Sequence, residues 1–155
     1  MNDFVDAQGT EVFLLPPGAD EPMVMSCPTA ASKSGGERTP IEILCLNSID
    51  PEVRVGSRTA TTWSIPFALV PTDTSHQTLY DLQESGELVP FLIALSDGVA
   101  DPTVVADALV PPAARTSFGF RGIVTGVGIE IATNDVVRGT LTVSVSGPTA
   151  ATWKS

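Results

Sequence analysis

One histidine and two cysteines are the side chains of this 155-residue chain best suited to nucleophilic or metal chemistry. His76, Cys27 and Cys45 lie far apart in sequence, and the cysteines form no Cys-x-x-Cys pair. A zinc site needs about four suitably spaced ligands, and a catalytic triad needs a histidine beside a nucleophile and an acid. The spacing therefore predicts no metal site, no catalytic site and no bound cofactor. His76 is predicted to lie on the surface of a helix.

The two thiols have two interpretations. The first residues, Met1 to Asp6, are acidic and lack the basic and apolar regions of a signal peptide, so none is expected. In a reducing compartment, Cys27 and Cys45 are expected to be free, partly buried thiols. A disulfide between them is the alternative.

Most of the elements that could position side chains are short β-strands. Trp63, Ile65 and Phe67 alternate with smaller or polar residues, which places them on one face of a strand. Pro66 cannot donate to a ladder, which predicts a sheet edge or a bulge there. By such alternation and apolar runs, strands are predicted at residues 11–15, 23–25, 41–47, 63–70 and 88–95, with a long hairpin over 118–146, a bulge at Gly122 and a turn at 133–135.

One helix follows residues 63–70. Thr74 to Gln77 has the pattern of a capping box, in which Thr74 caps the helix and Gln77 reaches back. Gly86 is a suitable residue to end it, and a second short helix is predicted over 103–109. Residues 16–40 and 47–62 read as long, largely irregular loops. The chain is therefore predicted to be mainly β, a β-sandwich or barrel of antiparallel strands flanked by one α-helix.

The charge of the chain limits its partners. It carries 18 acidic and 8 basic residues, a net charge of −10. Specific nucleic-acid binding needs a basic patch, because neutralising phosphates supplies much of the affinity, so the composition excludes it. The same charge repels anionic membranes, and no apolar run approaches the ~20 residues of a transmembrane helix. We therefore expect no membrane anchoring.

Several predicted strands carry no charge at all. Residues 63–70, 88–95 and 139–153 contain no Asp, Glu, Lys or Arg. Exposed sheet edges are usually protected by charged residues, particularly lysine. Either these strands are central in the sheet, or their edges meet partner chains.

Four segments in a fixed order resemble a known family. They are IEILCLNS at 41–48, TTWSIPFALVPTDTSHQTLYDLQESG at 61–86, VPFLIALSDG at 89–98 and TSFGFRGIVTGVGIEIATNDVVRGTLTVSVSG at 116–147. The order and content of these segments resemble the major tail tube proteins of long-tailed bacteriophages, particularly the lambda-like, non-contractile type. The lambda type carries an appended immunoglobulin-like domain, and we expect none after Gly147 here, which is a departure from that type.

The resemblance implies a single tail-tube domain over residues 1–155, with an acidic N-terminal arm at 1–10 and a short tail at 148–155. It implies hexameric rings that stack into a tail tube, enclose the tape measure protein and conduct DNA during ejection. The implied partners are further copies of the chain, the tail terminator and the tail-tip or baseplate proteins. DNA passes only in transit. The implied location is the virion tail, after assembly in the host cytoplasm, and the protein is not expected to be an enzyme.

Candidate contact residues follow from the same resemblance. The stretch 47–62 corresponds in position to an inter-ring loop, and the acidic arm is expected to meet its arginines. The inter-ring and inter-subunit candidates are Asp3, Asp6, Gly35, Gly36, Glu37, Arg38, Arg54, Val55 and Arg58. The candidates for the lumen surface are Glu130, Thr140, Thr142 and Ser144, with a solvent-facing position as the alternative.

Two other functions share this kind of fold. One is the tube protein of a contractile tail or a secretion system. The other is a ligand-binding β-sandwich of a tail tip, which usually shows exposed aromatic side chains. Aromatic residues are few here, at 6%, and most fall at core positions, which favours the assembly class.

Overall fold

The computed structural model describes residues 4–155, which form one helix and twelve strands. The helix, α1, spans Thr74–Ser85. The strands are β1 Glu11–Leu14, β2 Met23–Val24, β3 Ser32–Ser34, β4 Arg38–Ile43, β5 Glu52–Arg58, β6 Thr62–Ala68, β7 Leu88–Ala94, β8 Thr103–Val105, β9 Ala108–Val110, β10 Ser117–Glu130, β11 Arg138–Val145 and β12 Ala150–Thr152. The predicted fold class, mainly β with one helix, is confirmed.

Eight strands form one antiparallel sheet that closes into a barrel. Their order is β2-β1-β7-β10-β11-β6-β3, and β12 pairs with the first part of β10. The backbone N–H of Met25 donates to Val12 at 2.9 Å, and the carbonyl of Cys27 accepts from Ala68 at 3.1 Å. Met25 and Cys27 lie two residues apart in the segment between β2 and β3. Through them this segment hydrogen-bonds to β1 near one edge of the sheet and to β6 near the other. Two residues of chain span about 7 Å at most, so the two edges lie side by side.

The strands alternate in direction, which gives the barrel two distinct ends. At one end β6 begins and β7 and β11 finish, and residues 35–61 leave the barrel there. We call this the hairpin end. At the other, β1 finishes and β7 begins, and residues 69–87 cross over with α1. We call this the helix end.

The barrel interior is an apolar core. Trp63, Ile65 and Phe67 point into it, as the alternation in β6 predicts. Leu79 and Leu82 of α1 belong to the same core, so the helix packs directly on the barrel. Trp63 also stacks on the ring of Phe120 with a centroid distance of 5.3 Å.

Most of the uncharged strands lie inside the sheet, and β12, which pairs with β10 alone, is the exception. β7 has β1 and β10 as neighbours, and β11 has β10 and β6. Of the two explanations for their missing charges, the structure supports a central position. Pro66 lies in β6 beyond the end of the three-residue strand β3, and its carbonyl accepts from Thr29 N at 2.8 Å. The predicted edge or bulge at Pro66 is therefore wrong, because β6 has β11 on one side and β3 with the Pro28–Phe67 bridge on the other.

The cap of α1 differs from the prediction. Asp73, not Thr74, is the N-cap residue, and its side chain accepts from Ser75 N. The Gln77 side chain donates to the Pro71 carbonyl at 2.9 Å instead of closing a capping box. The N–H groups of the first helical turn have no partner within the helix. The carboxylate of Asp73, one residue before Thr74, accepts from one of them. Gly86 ends the helix in the left-handed conformation with φ 68°, as predicted.

Residues 103–109 form strands where a second helix was predicted. β8 and β9 pair as a hairpin, and its turn residues, Ala106 and Asp107, have φ 51° and 60°. Two consecutive positive φ values are typical of the tight hairpin turn that matches strand twist. This short apolar run fits the period of a helix as well as that of a strand. The antiparallel pairing between its two halves favours the strand.

The long hairpin is present, with its bulge three residues later than predicted. β10 and β11 pair from Gly122 to Glu130, and the register shifts between Val124 and Gly126. Val124 therefore faces the core while Ile123 is exposed. The predicted turn is confirmed around Asn134, which has φ 60°.

The two stretches predicted as irregular loops contain strands. Within 16–40 lie β2, β3 and the start of β4, and within 47–62 lies β5. β4 and β5 pair with each other as a separate two-stranded sheet. Neither face of this two-stranded sheet is buried. Its strands therefore lack the regular alternation of apolar and polar residues that identifies a half-buried strand, and glycine, proline and charged residues interrupt the pattern.

Candidate functional site

A two-stranded hairpin protrudes from the hairpin end of the barrel. We call residues 37–59, which contain β4 and β5, the protruding hairpin. All six residues of β4 are exposed, and in β5 only Gly56 is partly covered. An isolated two-stranded hairpin is marginally stable in water at best. This element therefore lacks the packing partner that such a structure normally needs.

The side chains of the protruding hairpin are unusually apolar for an exposed element. Val53 and Val55 are each 61% exposed, and Ile41 is 51% exposed. At its tip, Leu46 and Ile49 are completely or almost completely exposed. Clustered exposed apolar side chains mark interaction surfaces in folded proteins.

The structure brings most of the predicted contact residues together on this element. Arg38 and Arg58 are direct cross-strand partners, and Glu37 accepts through its carbonyl from Thr59 N at 2.8 Å. Gly35 connects β3 to the hairpin with φ 81°, and a Cβ there would lie 2.0 Å from the Ala60 carbonyl oxygen. The remaining predicted residues of this group, Gly36, Arg54 and Val55, lie in the same base or in β5.

The acidic arm is described only in part. Asp3 lies outside the described residues. Asp6 is exposed, and its carbonyl accepts from the hydroxyl of Ser96 at the hairpin end. Within residues 4–155 neither Arg54 nor Arg58 has a carboxylate within 4.0 Å. The predicted pairing of the arm with these arginines is therefore not made inside one described chain.

Arg115 is a structural residue that the sequence analysis missed. Its side chain is fully buried and forms an ion pair with Glu11 at 3.1 Å. The guanidinium also donates to the carbonyls of Leu95, Ala94 and Gly9, at 2.5, 3.3 and 3.2 Å. Five N–H donors in a planar fork suit such a set of acceptors. Arg115 thereby ties the N-terminal segment to the end of β7, and no local sequence signal marks this role.

Three of the lumen candidates share an open face of the sheet. Thr140, Thr142 and Ser144 point away from the core residues Leu141 and Val143. Opposite them on β6 lie Pro66, Ser64 and Thr62, so this face is polar but uncharged.

The fourth lumen candidate lies at the helix end of the same face. Glu130 is the cross-strand partner of Arg138, and Arg138 Nε donates to Asp135 Oδ2 at 3.0 Å. The guanidinium holds the pKa of Asp135 below its ordinary value. Along β6 and β11 the charge on this face is thus confined to one end, and on β10 Arg121 is also exposed.

His76 is buried, not on the helix surface as predicted. Its ring is 1% exposed and packs against Phe67 with a centroid distance of 4.5 Å. Val70 N donates to Nδ1 at 3.0 Å, so the hydrogen is on Nε2, which donates to the Ser26 carbonyl at 2.7 Å. Both ring nitrogens are used for structure, which leaves none for catalysis.

Asp73 and Ser75 complete this polar cluster with Ser26. The Asp73 carboxylate accepts from the Ser26 hydroxyl and from Ser75 N, the latter at 2.8 Å. These hydrogen bonds, with that of the Ser26 hydroxyl the largest cause, lower the pKa of Asp73 from 3.8 to about 2. The cluster fixes α1 to the segment that closes the barrel.

The two cysteines are free thiols, and both are exposed. The prediction of partly buried side chains is therefore wrong, and the alternative disulfide is not formed. Cys27 lies in the segment between β2 and β3 with φ 49°, and Cys45 lies at the tip of the protruding hairpin.

Among residues 4–155, no three His, Cys, Asp or Glu side chains are grouped so that they could hold a metal ion. None of the described helices has the length and apolar character needed to cross a membrane.

Comparison with known proteins gives a consistent result. The model of the family described as phage tail tube, TTP, lambda-like matches residues 3–155. A curated relative, structural protein 3 of Pseudomonas phage PAJU2, is 30% identical over 151 residues, which cover 94% of this chain and 92% of that protein.

Solved structures share the fold at low identity. The SPP1 tail tube protein is 10% identical with a TM-score of 0.68, over 97% of this chain and 80% of that one. A chain from the tail of an empty gene transfer agent particle, solved with C6 symmetry, is 13% identical with a TM-score of 0.67, over 96% and 98%. A chain of the PVC sheath/tube terminator of an extracellular contractile injection system is 13% identical with a TM-score of 0.68, over 97% of each chain.

Proposed function

This chain belongs to the lambda-like phage tail tube family, a family of virion structural proteins and not of enzymes, and on that basis we propose how it builds a tube. Residues 1–155 act as one tail-tube domain. Six copies form a ring, and the rings stack head to tail. The lumen encloses the tape measure protein and later conducts DNA. The tube grows in the host cytoplasm between the tail-tip or baseplate proteins and the tail terminator.

The observation that carries this proposal is the protruding hairpin. It exposes apolar side chains on both faces and extends away from a barrel whose own strands are satisfied. A head-to-tail contact between identical copies joins two different surfaces of the molecule, and an element that projects from one end supplies one of them. The predicted inter-ring residues Arg54, Val55 and Arg58 all lie on this hairpin. We therefore assign it to the contact between successive rings.

We assign the open, hydroxyl-bearing sheet face to the lumen. Thr140, Thr142 and Ser144 offer no positive charge that would hold a phosphate. At its helix end the two acids Glu130 and Asp135 outnumber Arg138. The net charge of −10 gives the tube wall a repulsive potential toward DNA. DNA would consequently slide along this surface without binding to it.

A solved assembly of the same fold supports a ring of six copies. The C6 symmetry of the gene transfer agent tail supports six copies for a chain of the same fold. The acidic arm, with Asp3 and Asp6, is a further candidate for contacts between neighbouring copies.

A tube protein of a contractile system is the second candidate. The fold of this chain also resembles that of the terminator from a contractile injection system. At 13% identity this likeness concerns the fold alone. Sheath genes beside the coding sequence would favour this candidate, and their absence would favour the non-contractile tail.

The proposal is tested by negative-stain microscopy and light scattering of the purified full-length protein over a range of concentrations. Rings or hollow tubes are the expected result, and a reconstruction would then identify the lumen surface. A protein that stays monomeric, and also fails to polymerise on added tail-tip complexes, would contradict the tube function.

A further inference from the structure

A groove beside the base of the protruding hairpin is lined by basic and hydroxyl side chains. Its volume is about 370 Å³. Lys33 and Gly36 form one wall, residues 58–61 form a second, and Val145 with residues 147–149 forms the third. We call it the basic groove, because the charged side chains that line it are a lysine and an arginine and no Asp or Glu is among its lining residues.

Positive charge is concentrated here although the chain as a whole is strongly acidic. Three of its eight basic residues, Lys33, Arg38 and Arg58, lie at or beside the hairpin base, where Glu37 is the neighbouring acid. Arg38 is the cross-strand partner of Arg58. Among residues 4–155 none of these three cations has a carboxylate within 4.0 Å. Cations held close together without such partners favour a shared anion.

Gly36 leaves an open space between two possible donors. It has φ 78°, and a Cβ built on it would lie 2.9 Å from Thr61 Oγ1 and 3.9 Å from Lys33 Nζ. The hydroxyl and the ammonium group thus converge on a point that no side chain occupies. A glycine at such a point lets a ligand approach the backbone closely.

The third wall contains a hydroxyl without a partner. Thr149 Oγ1 is buried and makes no hydrogen bond within the described part of the chain. A buried polar group without a hydrogen bond is unfavourable. An anion bound in the groove would supply the missing acceptor.

Two other grooves of the described chain have different chemistry. A groove at the helix end contains Glu87 and Asp107 beside Arg121, so its own carboxylates compete with an incoming anion. An apolar groove beside Trp63 contains Asp6 and no basic residue. The basic groove is therefore the better fit for an anion.

We propose that the basic groove binds a phosphate group, either as inorganic phosphate or as a nucleoside monophosphate. Lys33 and Arg58 supply two positive charges for a dianion, and the planar guanidinium matches two phosphate oxygens at once. The hydroxyls of Thr61 and Thr149 donate to the remaining oxygens. Donors on three walls suit a tetrahedral anion better than a planar carboxylate, and the net charge of −10 opposes a polyanion such as DNA.

The bound phosphate also has a structural effect. Arg58 and Arg38 repel each other across the hairpin base, and an anion beside Arg58 relieves this repulsion. The site is formed within one copy of the chain, so it does not depend on the proposed tube.

Arginine labelling tests the site on the full-length protein, diluted until light scattering shows monomers. Phenylglyoxal modifies accessible arginines, and peptide mass spectrometry gives the rate at each one. Sodium phosphate replaces sodium chloride at constant ionic strength. Arg54 is the control within the same molecule, because it is exposed on the same strand as Arg58 but does not line the groove.

The expected result is that phosphate slows the modification of Arg58 to a saturating limit and leaves the rate at Arg54 unchanged. Equal protection of both arginines, or no protection of Arg58, would overturn the site. Adenosine monophosphate distinguishes the two sources of the phosphate group. Protection at a lower concentration than with phosphate assigns the site to nucleotides, and protection at an equal or higher concentration assigns it to inorganic phosphate.

Lys33→Gln tests whether the two cations act on one ligand. The phosphate concentration that half-protects Arg58 should rise about two- to fivefold, the range expected for one exposed charge pair. Lys154→Gln removes a lysine outside the groove and should leave that concentration unchanged. A Lys33→Gln variant with the wild-type value would overturn the shared site.

Thr149→Val tests the third wall. The variant should melt at the wild-type temperature or slightly higher, because its hydroxyl has no hydrogen bond to lose among the described residues. It should also need more phosphate to protect Arg58. A lower melting temperature with unchanged protection would show that the hydroxyl serves the fold, and would overturn its role in the site.

Discussion

Arg38 and Arg58 face each other across the protruding hairpin, so two positive charges lie side by side in an exposed ladder. Neither has a carboxylate within 4.0 Å among residues 4–155. Like charges directly opposite each other destabilise a strand pair by roughly 0.2–1 kcal/mol. The base of the hairpin therefore carries a local cost that a negatively charged partner would relieve.

Reversing charge on the hairpin should separate assembly from folding. In the variant Arg54→Glu/Arg58→Glu, we expect tube growth to be blocked while the thermal melting of the monomer stays unchanged. Both residues are exposed and outside the barrel core, so the barrel does not depend on them. Negative-stain microscopy measures the first property and circular dichroism the second.

The matched control is Arg54→Lys/Arg58→Lys, which keeps both charges and should still form tubes. Normal tubes from the charge-reversed variant would contradict the inter-ring assignment of these arginines.

The polar cluster at the start of α1 should make stability depend on pH in the acid range. The pKa of Asp73 is about 2 in the folded chain against an ordinary value of 3.8. A lowered pKa means that the carboxylate stabilises the fold above pH 3.8, and that this contribution is lost as the pH falls toward 2. We expect the melting temperature of Asp73→Asn to vary less with pH between about 4 and 2 than that of the wild type.

Asp20→Asn is the control for this measurement, because Asp20 is exposed and makes no side-chain hydrogen bond among the described residues. Parallel pH profiles for the wild type and Asp73→Asn would show that the Ser26 contact does not form in solution.

Two glycines of the β10–β11 hairpin should respond very differently to alanine. A Cβ at Gly139 would lie 2.5 Å from Phe67 Cζ and 3.0 Å from the Gly128 carbonyl oxygen. Phe67 is fully buried and cannot move aside, so Gly139→Ala should destabilise the chain by about 1–3 kcal/mol. Gly128→Ala meets nothing within 4 Å and should change stability little. Urea unfolding of both variants measures the difference, and equal losses would contradict the packing of Phe67 against β11.

The lumen assignment predicts an effect on DNA transit without an effect on folding. Thr140 is exposed on the open sheet face, so Thr140→Arg should leave the tube intact. It would add a ring of positive charges that hold phosphates. We expect phage carrying this variant to eject DNA several-fold more slowly at low salt, with the difference shrinking as salt rises.

Thr140→Gln adds comparable bulk without charge and should eject DNA at the wild-type rate. If the arginine and glutamine variants eject at equal rates at low salt, Thr140 faces solvent, which is the alternative that the sequence leaves open.

The sequence by itself determined the elements whose pattern is local and half-buried. Trp63, Ile65 and Phe67 alternate because one face of β6 meets the core, and Gly86 marks a helix end because it tolerates the left-handed conformation. The charge balance and the lack of a spaced ligand set were likewise the local basis for expecting no metal, cofactor or specific nucleic-acid site. The order of such segments along the chain was enough to indicate the family.

Only the tertiary structure decided how distant segments meet. The burial of His76 depends on Ser26, fifty residues earlier, and the hidden position of Arg115 depends on carbonyls from three separate segments. The strand predicted over 41–47 overlaps β4, but the sequence analysis missed β5 and the pairing of the two strands into a protruding hairpin, because that sheet packs on no other element of the chain. In the tube that we propose, another copy would cover this hairpin, and in the isolated chain its exposed apolar side chains are the feature that marks it.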